Sequence, residues 1–133
     1  MTGTSSGFTA MKEHVLKYLC LVYIEEQYAD AMPKSEMEAL LEETLSYREA
    51  LQGNGHLISV ANLQSVRLAT TLRMRKGKVS ISDGPFAETQ EVLDGFYVIE
   101  ARDLNEAIQV ASNSPSLHIG SIEVRPIEEL IQP

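Results

Sequence analysis

The order in which strand and helix patterns alternate along this chain constrains its fold more than any single motif. Two amphipathic helix patterns, at residues 35–52 and 103–112, are each flanked by strand-like segments on both sides. The order β-α-β-β-α-β is that of the ferredoxin-like fold. Because crossover connections are right-handed, both helices should cover the same face of one sheet. The sequence therefore predicts an α+β domain in which the other face of the sheet is uncovered.

The ends of these segments carry recognisable signals. Residues 15–24 are apolar on both alternating faces, which is typical of a central strand. Ser35 and Glu38 have the spacing of a capping box at the first helix, and Asp103 and Glu106 have it at the second. A buried stripe on the first helix is predicted by apolar residues at helical spacing, namely Met37, Leu40, Leu41, Leu45 and Leu51.

Residues 66–75 alternate between apolar and polar side chains, which predicts a strand. We expect its apolar side, with Leu72 and Met74, to meet the helices. Thr71 and Arg73 would then lie on the uncovered face. Lys76 and Gly77 turn the chain back into a second strand at 79–82, which predicts a hairpin.

The segment after this hairpin, residues 83–91, reads Asp-Gly-Pro-Phe-Ala-Glu-Thr-Gln-Glu and combines backbone constraint with chemistry. Gly84 permits a positive φ, and the following proline fixes its own φ, so a reproducible bend is expected. Asp83 is expected to accept hydrogen bonds from the amides that follow it and is also a candidate general base. We expect the apolar ring of Phe86 to pin the loop to a core or a partner. Glu88 and Glu91 add carboxylates, but no His or Cys stands at ligand spacing beside them, so a zinc site is not predicted. A hard-cation site stays open as an alternative, and solvated acids that cap a short helical turn are the favoured interpretation.

Residues 83–91 resemble the signature of the DGPF-type proteins within the YCII-related family. The commoner family form has Lys where this chain has Gln90. Segments 17–23, 69–73, 95–97 and 120–126 resemble further family segments in the same order. The resemblance covers nearly all of the chain from residue 17 onward. It implies a fold more than an activity, because most members are uncharacterised.

The resemblance also implies a homodimer of the dimeric α+β barrel type, with sheets face to face around a cavity. From strand alternation, the uncovered face would present Glu123 and Arg125 from the last strand, and either Tyr23 or Tyr97. Arg125 with Arg73 could hold an anionic ligand, or each could pair with a glutamate. Related proteins carry a His–Asp pair with the His near the start of the first helix, where this chain has none.

His56 follows the first helix and is the remaining histidine candidate for the ligand site. The chain has a net charge of −8 and a pI of about 4.8, which argues against nucleic-acid binding through a broad basic surface. The single Cys20 fits a reducing, cytoplasmic setting, and its apolar strand predicts a buried, inert thiol. No apolar run is long enough for a membrane helix. We expect a flexible tail at residues 1–12 and one domain at 13–133.

Two functions fit these features. The first is a small enzyme without a cofactor that binds a small anionic or aromatic molecule in the dimer cavity, with Asp83 as its catalytic group. The second is a non-catalytic module that senses a ligand or binds a regulatory protein. Genes of the resembled family often lie beside, or are fused to, those of alternative sigma factors, so the resemblance makes a sigma-factor partner plausible.

Overall fold

A computed structural model of the protein describes residues 16–129, so the expected tail at 1–12 lies outside it. Two short 3₁₀ segments, Val66–Leu68 and Pro115–His118, accompany the regular elements. In chain order the regular elements are β1 (Leu16–Glu25), α1 (Glu26–Asp30), α2 (Lys34–Gly53), β2 (Leu57–Asn62), β3 (Thr70–Arg75), β4 (Lys78–Asp83), β5 (Glu91–Ala101), α3 (Leu104–Ala111) and β6 (Gly120–Pro126).

The main sheet has four antiparallel strands in the order β2-β5-β1-β6. This order, with α2 between β1 and β2 and α3 between β5 and β6, confirms the ferredoxin-like α+β fold. The apolar segment at the start of the chain is indeed a central strand, since β1 pairs with both β5 and β6. The predicted last strand is confirmed as β6.

The helices cover one face of this sheet. Alternate residues of β1 and β5 are buried there against α2 and α3, and they include Cys20, Val22 and Ile99. Ile122 and Val124 of β6 pack against the same cluster, which agrees with the alternation that predicts Glu123 and Arg125 on the uncovered face. The opposite face of the sheet is covered by no helix of the described chain, and we call it the open face.

The two capping boxes have different outcomes. At α3 the box is confirmed, because Asp103 Oδ1 accepts from the Glu106 amide at 2.9 Å and Glu106 Oε1 accepts from the Arg102 amide at 2.9 Å. At α2 it is wrong, since the helix begins at Lys34 with Pro33 as its N-cap and has no side-chain cap. Pro33 precedes the helix with an extended ψ of 148°, and the chain enters α2 at Lys34, one residue before Ser35.

The predicted buried stripe of α2 is also largely wrong. Met37, Leu41 and Leu45 are exposed, and only Leu51 of the helix is buried. The C-terminal half of α2 reaches the core, through Leu51 and Tyr47, while the first half lies away from it. No helix in the described chain is long and apolar enough to cross a membrane.

The hairpin departs most from expectation. Residues 66–68 form a 3₁₀ turn, and β3 and β4 pair with each other in a separate two-stranded sheet. Leu72 and Met74 therefore do not meet the helices and are 62% and 68% exposed. Alternation identifies which residues share a side, but it does not say which sheet the strand joins. The predicted turn is confirmed, with φ values of 51° at Lys76 and 76° at Gly77.

Candidate functional site

A β-bulge in β5 sets the direction of the residues that precede it. Val22 of β1 lies opposite Gly95, whereas the next residue, Tyr23, lies opposite Leu93. Asp94 is thus the extra residue, and Leu93 shares the open face with Tyr23 because directly opposed residues point the same way. Without the bulge, Leu93 would point to the helices. Gly95 is required nearby, since a Cβ there would lie 2.7 Å from the carbonyl oxygen of Ala61.

A cavity of about 940 Å³ lies where this end of the sheet meets the base of the hairpin and residues 85–91. Its lining is largely apolar, with Leu63, Phe86 and Leu93 among the larger side chains. Tyr23 and Thr71 contribute hydroxyl groups, Asn62 and Gln64 contribute amides, and Glu91 is the lining carboxylic acid. No Lys, Arg or His is found among the described residues that line it. Its size and composition are those of a small-molecule site.

The 83–91 loop is attached to the hairpin by three hydrogen bonds. The Gly84 amide donates to the Ala69 carbonyl at 2.7 Å, and Thr71 Oγ1 donates to the Gly84 carbonyl at 2.7 Å. Arg73 donates from its guanidinium to the Phe86 carbonyl at 2.8 Å. Gly84 has the predicted positive φ, at 97°. These contacts fix the wall of the cavity that carries Phe86.

The Asx-turn expected at Asp83 is wrong, because within residues 16–129 its side chain forms no hydrogen bond to the amides that follow. The Gly84 amide instead donates to the Ala69 carbonyl, and this hydrogen bond extends the β3–β4 pairing past Asp83. Asp83 is exposed at the end of β4 and does not line the cavity. Glu88 is likewise exposed and outside the lining.

Tyr23 connects the cavity to the open face of β6. Its hydroxyl donates to Glu123 Oε1 at 3.2 Å. Burial and this hydrogen bond raise the pKa of Tyr23, so the hydroxyl stays protonated. Glu123 therefore orients a cavity hydroxyl without lining the cavity itself. Arg125 lies two residues farther along β6, opposite Leu19, and it forms no ion pair with a carboxylate of the described chain.

Acidic groups outnumber basic ones at this end of the sheet, where Arg48 donates to Asn62 Oδ1 at 2.6 Å. Glu91 lies directly opposite Glu25 across β5 and β1, and Gln90 donates to Glu25 Oε2 at 3.3 Å. Burial raises the pKa of the bulge residue Asp94, and the nearby Glu26 carboxylate raises it further. Like charges placed directly opposite each other disfavour a further anion in the same place.

The expectation that Tyr97 joins the open face is wrong. Tyr97 is buried on the helix side, where its hydroxyl lies 3.0 Å from that of Tyr47. Tyr47 in turn donates to the Val110 carbonyl at 2.9 Å. Burial strongly raises the pKa of Tyr97 and raises that of Cys20 to about 11, so the thiol is an inert part of the core. The apolar residues on both sides of β5 left its direction open in the sequence.

His56 lies at the other end of the sheet from the cavity. Its Nδ1 is 2.8 Å from the Glu100 carbonyl, beside the C-terminal end of β5, whereas the cavity is at the N-terminal end near Glu91. Nine residues of extended strand correspond to about 30 Å. The structure therefore brings Thr71, Phe86 and Tyr23 together in the cavity lining. Arg73 and Glu123 do not line the cavity but form hydrogen bonds with Phe86 and Tyr23. Three predicted site residues lie outside this group, namely His56, Arg125 and Tyr97.

No local sequence pattern indicates that residues 62–66 belong to the site. Their pattern predicts parts of a strand and a loop, and they line the cavity because the chain crosses from β2 to the hairpin beside Leu93. Gly95 is a possible signal, since a glycine inside a strand often marks a bulge.

Comparison with known proteins agrees with this fold. The profile of the YCII-related domain matches residues 16–131. The chain is 37% identical over 112 residues to an uncharacterized protein of Rhizobium meliloti (strain 1021), an alignment that covers 83% of this chain and 90% of that protein. Nearly the whole described chain is therefore one recognisable unit.

Proposed function

This chain belongs to the YCII-related domain family, and from that premise we propose that it binds a small, largely apolar molecule in the cavity beneath the 83–91 loop. The observation that carries the proposal is the cavity itself, which is about 940 Å³ and has a largely apolar lining. Such volumes suit one small ligand of metabolite or drug size. The hydroxyls of Tyr23 and Thr71 provide polar contacts that can orient a ligand.

The charge of the lining favours a neutral or cationic ligand over an anion. Glu91 faces the cavity region beside Glu25, and no basic side chain of the described chain lines it. Arg73 donates to the Phe86 carbonyl and is not among the lining residues, and Arg125 is farther along β6. We therefore propose a ligand with an aromatic or aliphatic body that is neutral or positively charged, in place of the anionic ligand expected from the two arginines.

The loop is suited to hold such a ligand because its backbone is fixed before binding. Arg73 and Thr71 attach it to the hairpin at 2.8 and 2.7 Å, so little conformational entropy remains to be lost. Phe86 is 78% exposed, which leaves its ring available to cover a bound molecule. An exposed aromatic on a fixed loop is a typical ligand contact.

The test is a binding series with one aromatic body and three head groups, namely naphthylethylamine, naphthylethanol and naphthylacetate, measured by thermal shift and calorimetry. A ligand at 100 times its Kd should raise the free energy of unfolding by about 2.7 kcal/mol. The amine and the alcohol should bind more tightly than the acid. Binding of the acid alone, or of none of the three, would reject the proposed site.

A pair of variants locates the site. Phe86→Ala should weaken the binding at least tenfold while leaving the melting temperature of the free protein nearly unchanged, because the ring is exposed. Tyr28→Ala is the matched control, since Tyr28 is 54% exposed and lies outside the cavity lining. Equal affinities in the two variants would place the ligand elsewhere.

Catalysis by Asp83 is a second proposal, which rests on its exposed carboxylate at the end of β4, next to the loop that borders the cavity. A carboxylate in this position could accept a proton from a ligand that extends past Phe86. Asp83→Asn keeps the shape of the side chain and removes the base. If a turnover found with a bound ligand survives this change, Asp83 is not its catalytic group.

A further inference from the structure

Most hydroxyl groups that line the cavity give their protons to acceptors within the protein. The hydroxyl side chains of the lining are Tyr23, Ser65, Thr70, Thr71 and Thr89. Thr71 Oγ1 donates to the Gly84 carbonyl at 2.7 Å. Thr89 Oγ1 donates to the Glu91 carbonyl at 2.6 Å. Because a hydroxyl has one proton and two lone pairs, a ligand meets these two threonine oxygens as acceptors only.

The hydroxyl of Tyr23 has the same restriction, and charge fixes its direction. It donates to Glu123 Oε1 at 3.2 Å, and an ionised carboxylate accepts hydrogen bonds but has no proton to return. Burial and this hydrogen bond raise the pKa of Tyr23, so the phenol keeps its proton. A hydroxyl that donates to a charged acceptor also becomes a better acceptor itself. Tyr23 therefore presents a strengthened acceptor to the cavity.

Ser65 and Glu91 add no donor to the lining. Ser65 Oγ donates to Glu26 Oε1 at 3.2 Å, and it accepts from the amide and the Nε of Arg67 at 3.2 and 3.3 Å. Its proton and both lone pairs are therefore used within the protein. Glu91 lines the cavity with a carboxyl group, which in its ionised form only accepts.

Few side chains of the lining can donate to a ligand. Asn62 and Gln64 have amide groups, and the Asn62 oxygen already accepts from Arg48 at 2.6 Å. The hydroxyl of Thr70 forms no hydrogen bond within residues 16–129, so it can either donate or accept. Accepting groups in the lining therefore outnumber donating ones.

We propose that the cavity selects molecules by the hydrogen-bond donors of their head group, and that its ligand is a primary amine on an aromatic or aliphatic body. This inference rests on the proposed ligand site and assigns one chemical class to its ligand. A protonated primary amine has three N–H donors, a positive charge and no lone pair, which suits accepting oxygens beside a carboxylate. A ketone or an ether would place its lone pairs against those of Tyr23, Thr71 and Thr89, and would lose bonds to water without replacement there.

Methylation of the amine tests donor selection at constant charge. Naphthylethylamine and its N-methyl, N,N-dimethyl and N,N,N-trimethyl derivatives are all cations at neutral pH, and each added methyl group removes one N–H donor. Calorimetry should show a Kd that rises along the series, by about tenfold or more from the first to the last. Equal Kd values, or tightest binding of the trimethyl derivative, would overturn donor selection while leaving an apolar ligand site. Binding of none of the four would overturn that site as well.

Removal of the Tyr23 hydroxyl tests its part in the selection. Tyr23→Phe should raise the Kd of naphthylethylamine about fivefold and leave that of the trimethyl derivative unchanged, because only the amine uses the lost acceptor. Tyr28→Phe is the control, since Tyr28 lies outside the lining. Equal losses for both ligands would mean that Tyr23 only shapes the cavity. That result, or no loss for either ligand, would contradict its assignment.

Thr89→Val repeats the measurement on the 83–91 loop and should also raise the Kd of the amine more than that of the trimethyl derivative. Thr44→Val is the matched control, because Thr44 Oγ1 likewise donates to a carbonyl, that of Leu40 at 2.8 Å, but lies outside the lining. If both variants give the same ratio of the two Kd values, the Thr89 hydroxyl is not a selecting group.

Glu123 is a positioning residue, because it acts through the Tyr23 hydroxyl and does not line the cavity. Glu123→Ala frees the Tyr23 proton, so this hydroxyl can then donate to a ligand. The Kd of a naphthyl ketone should fall about fivefold relative to the wild type, a gain that damage to the fold would not produce. Glu123→Gln keeps an accepting oxygen and should retain the wild-type Kd values. An unchanged or weaker affinity for the ketone in Glu123→Ala would refute this role.

Discussion

Replacing Tyr47 with phenylalanine tests whether the tyrosine pair on the helix side is structural. Tyr47 donates to the Val110 carbonyl at 2.9 Å, and its hydroxyl lies 3.0 Å from that of Tyr97. The rings meet edge to face, with centroids 6.0 Å apart, and phenylalanine can keep that contact. The variant therefore removes two hydrogen bonds and little else.

The expected loss follows from these two bonds. A neutral hydrogen bond contributes about 1 kcal/mol net, so the free energy of unfolding should fall by about 2 kcal/mol. For 133 residues the unfolding entropy is about 0.28 kcal/mol/K. The melting temperature should therefore fall by about 7 °C.

Urea unfolding followed by circular dichroism, together with calorimetry, measures this loss. Tyr28→Phe is the control, because Tyr28 is 54% exposed and should change the stability by less than about 0.5 kcal/mol. If Tyr47→Phe proves as stable as Tyr28→Phe, the hydroxyl pair does not support the core. Tyr47→Phe should also leave ligand affinity unchanged, since Tyr47 and Tyr97 lie across the sheet from the cavity.

Three further predictions concern pH and local packing. Burial raises the pKa of Tyr47 from 10.0 to about 12, so the contribution of its hydroxyl to stability is complete below pH 10.0 and is lost as the pH rises toward 12. The free energies of unfolding of the wild type and Tyr47→Phe should therefore converge over this interval. A constant difference between them would contradict this reasoning. Gly120→Ala should lower the free energy of unfolding in urea by about 3 kcal/mol or more, because the added Cβ would lie 1.8 Å from the Tyr23 carbonyl oxygen. Gly53→Ala is the control: its added Cβ has no neighbour within 4 Å, so this variant should be as stable as the wild type or more stable. Asp103→Ala should lower the free energy of unfolding in urea by about 1 kcal/mol, because the α3 cap is lost. Asp103→Asn keeps an oxygen that can accept from the Glu106 amide, so it should retain most of the wild-type stability.

Several features of the molecule could be predicted from local sequence because their causes are local. The α3 capping box needs only Asp103 and Glu106 at the right spacing, and the hairpin turn needs only Lys76 and Gly77. The bend at Gly84 likewise follows from a residue without a Cβ. Alternation placed Ile122 and Val124 toward the helices correctly, since β6 has one apolar and one polar side.

The candidate site depended on contacts between distant segments, and here sequence reasoning was incomplete. Sequence patterns point to Thr71 and Phe86, but they also group Tyr97 and His56 with them, although Tyr97 lies on the other face and His56 at the other end of the sheet. A strand that is apolar on both sides does not reveal its direction. The bulge at Asp94, which turns Leu93 into the cavity, becomes visible only through the pairing of β5 with β1.

The sequence by itself determined the ferredoxin-like order of elements, the central position of β1 and the bend at Gly84. Those properties follow from periodicity, capping and turn residues, which act over a few positions. Only the tertiary structure decided that β3 and β4 leave the main sheet, that Arg73 holds the loop, and that Leu63, Tyr23 and Leu93 share a cavity. The physical reason is that strand partners and the side of the protein a strand faces are selected by packing between segments far apart in the chain, which no local pattern encodes.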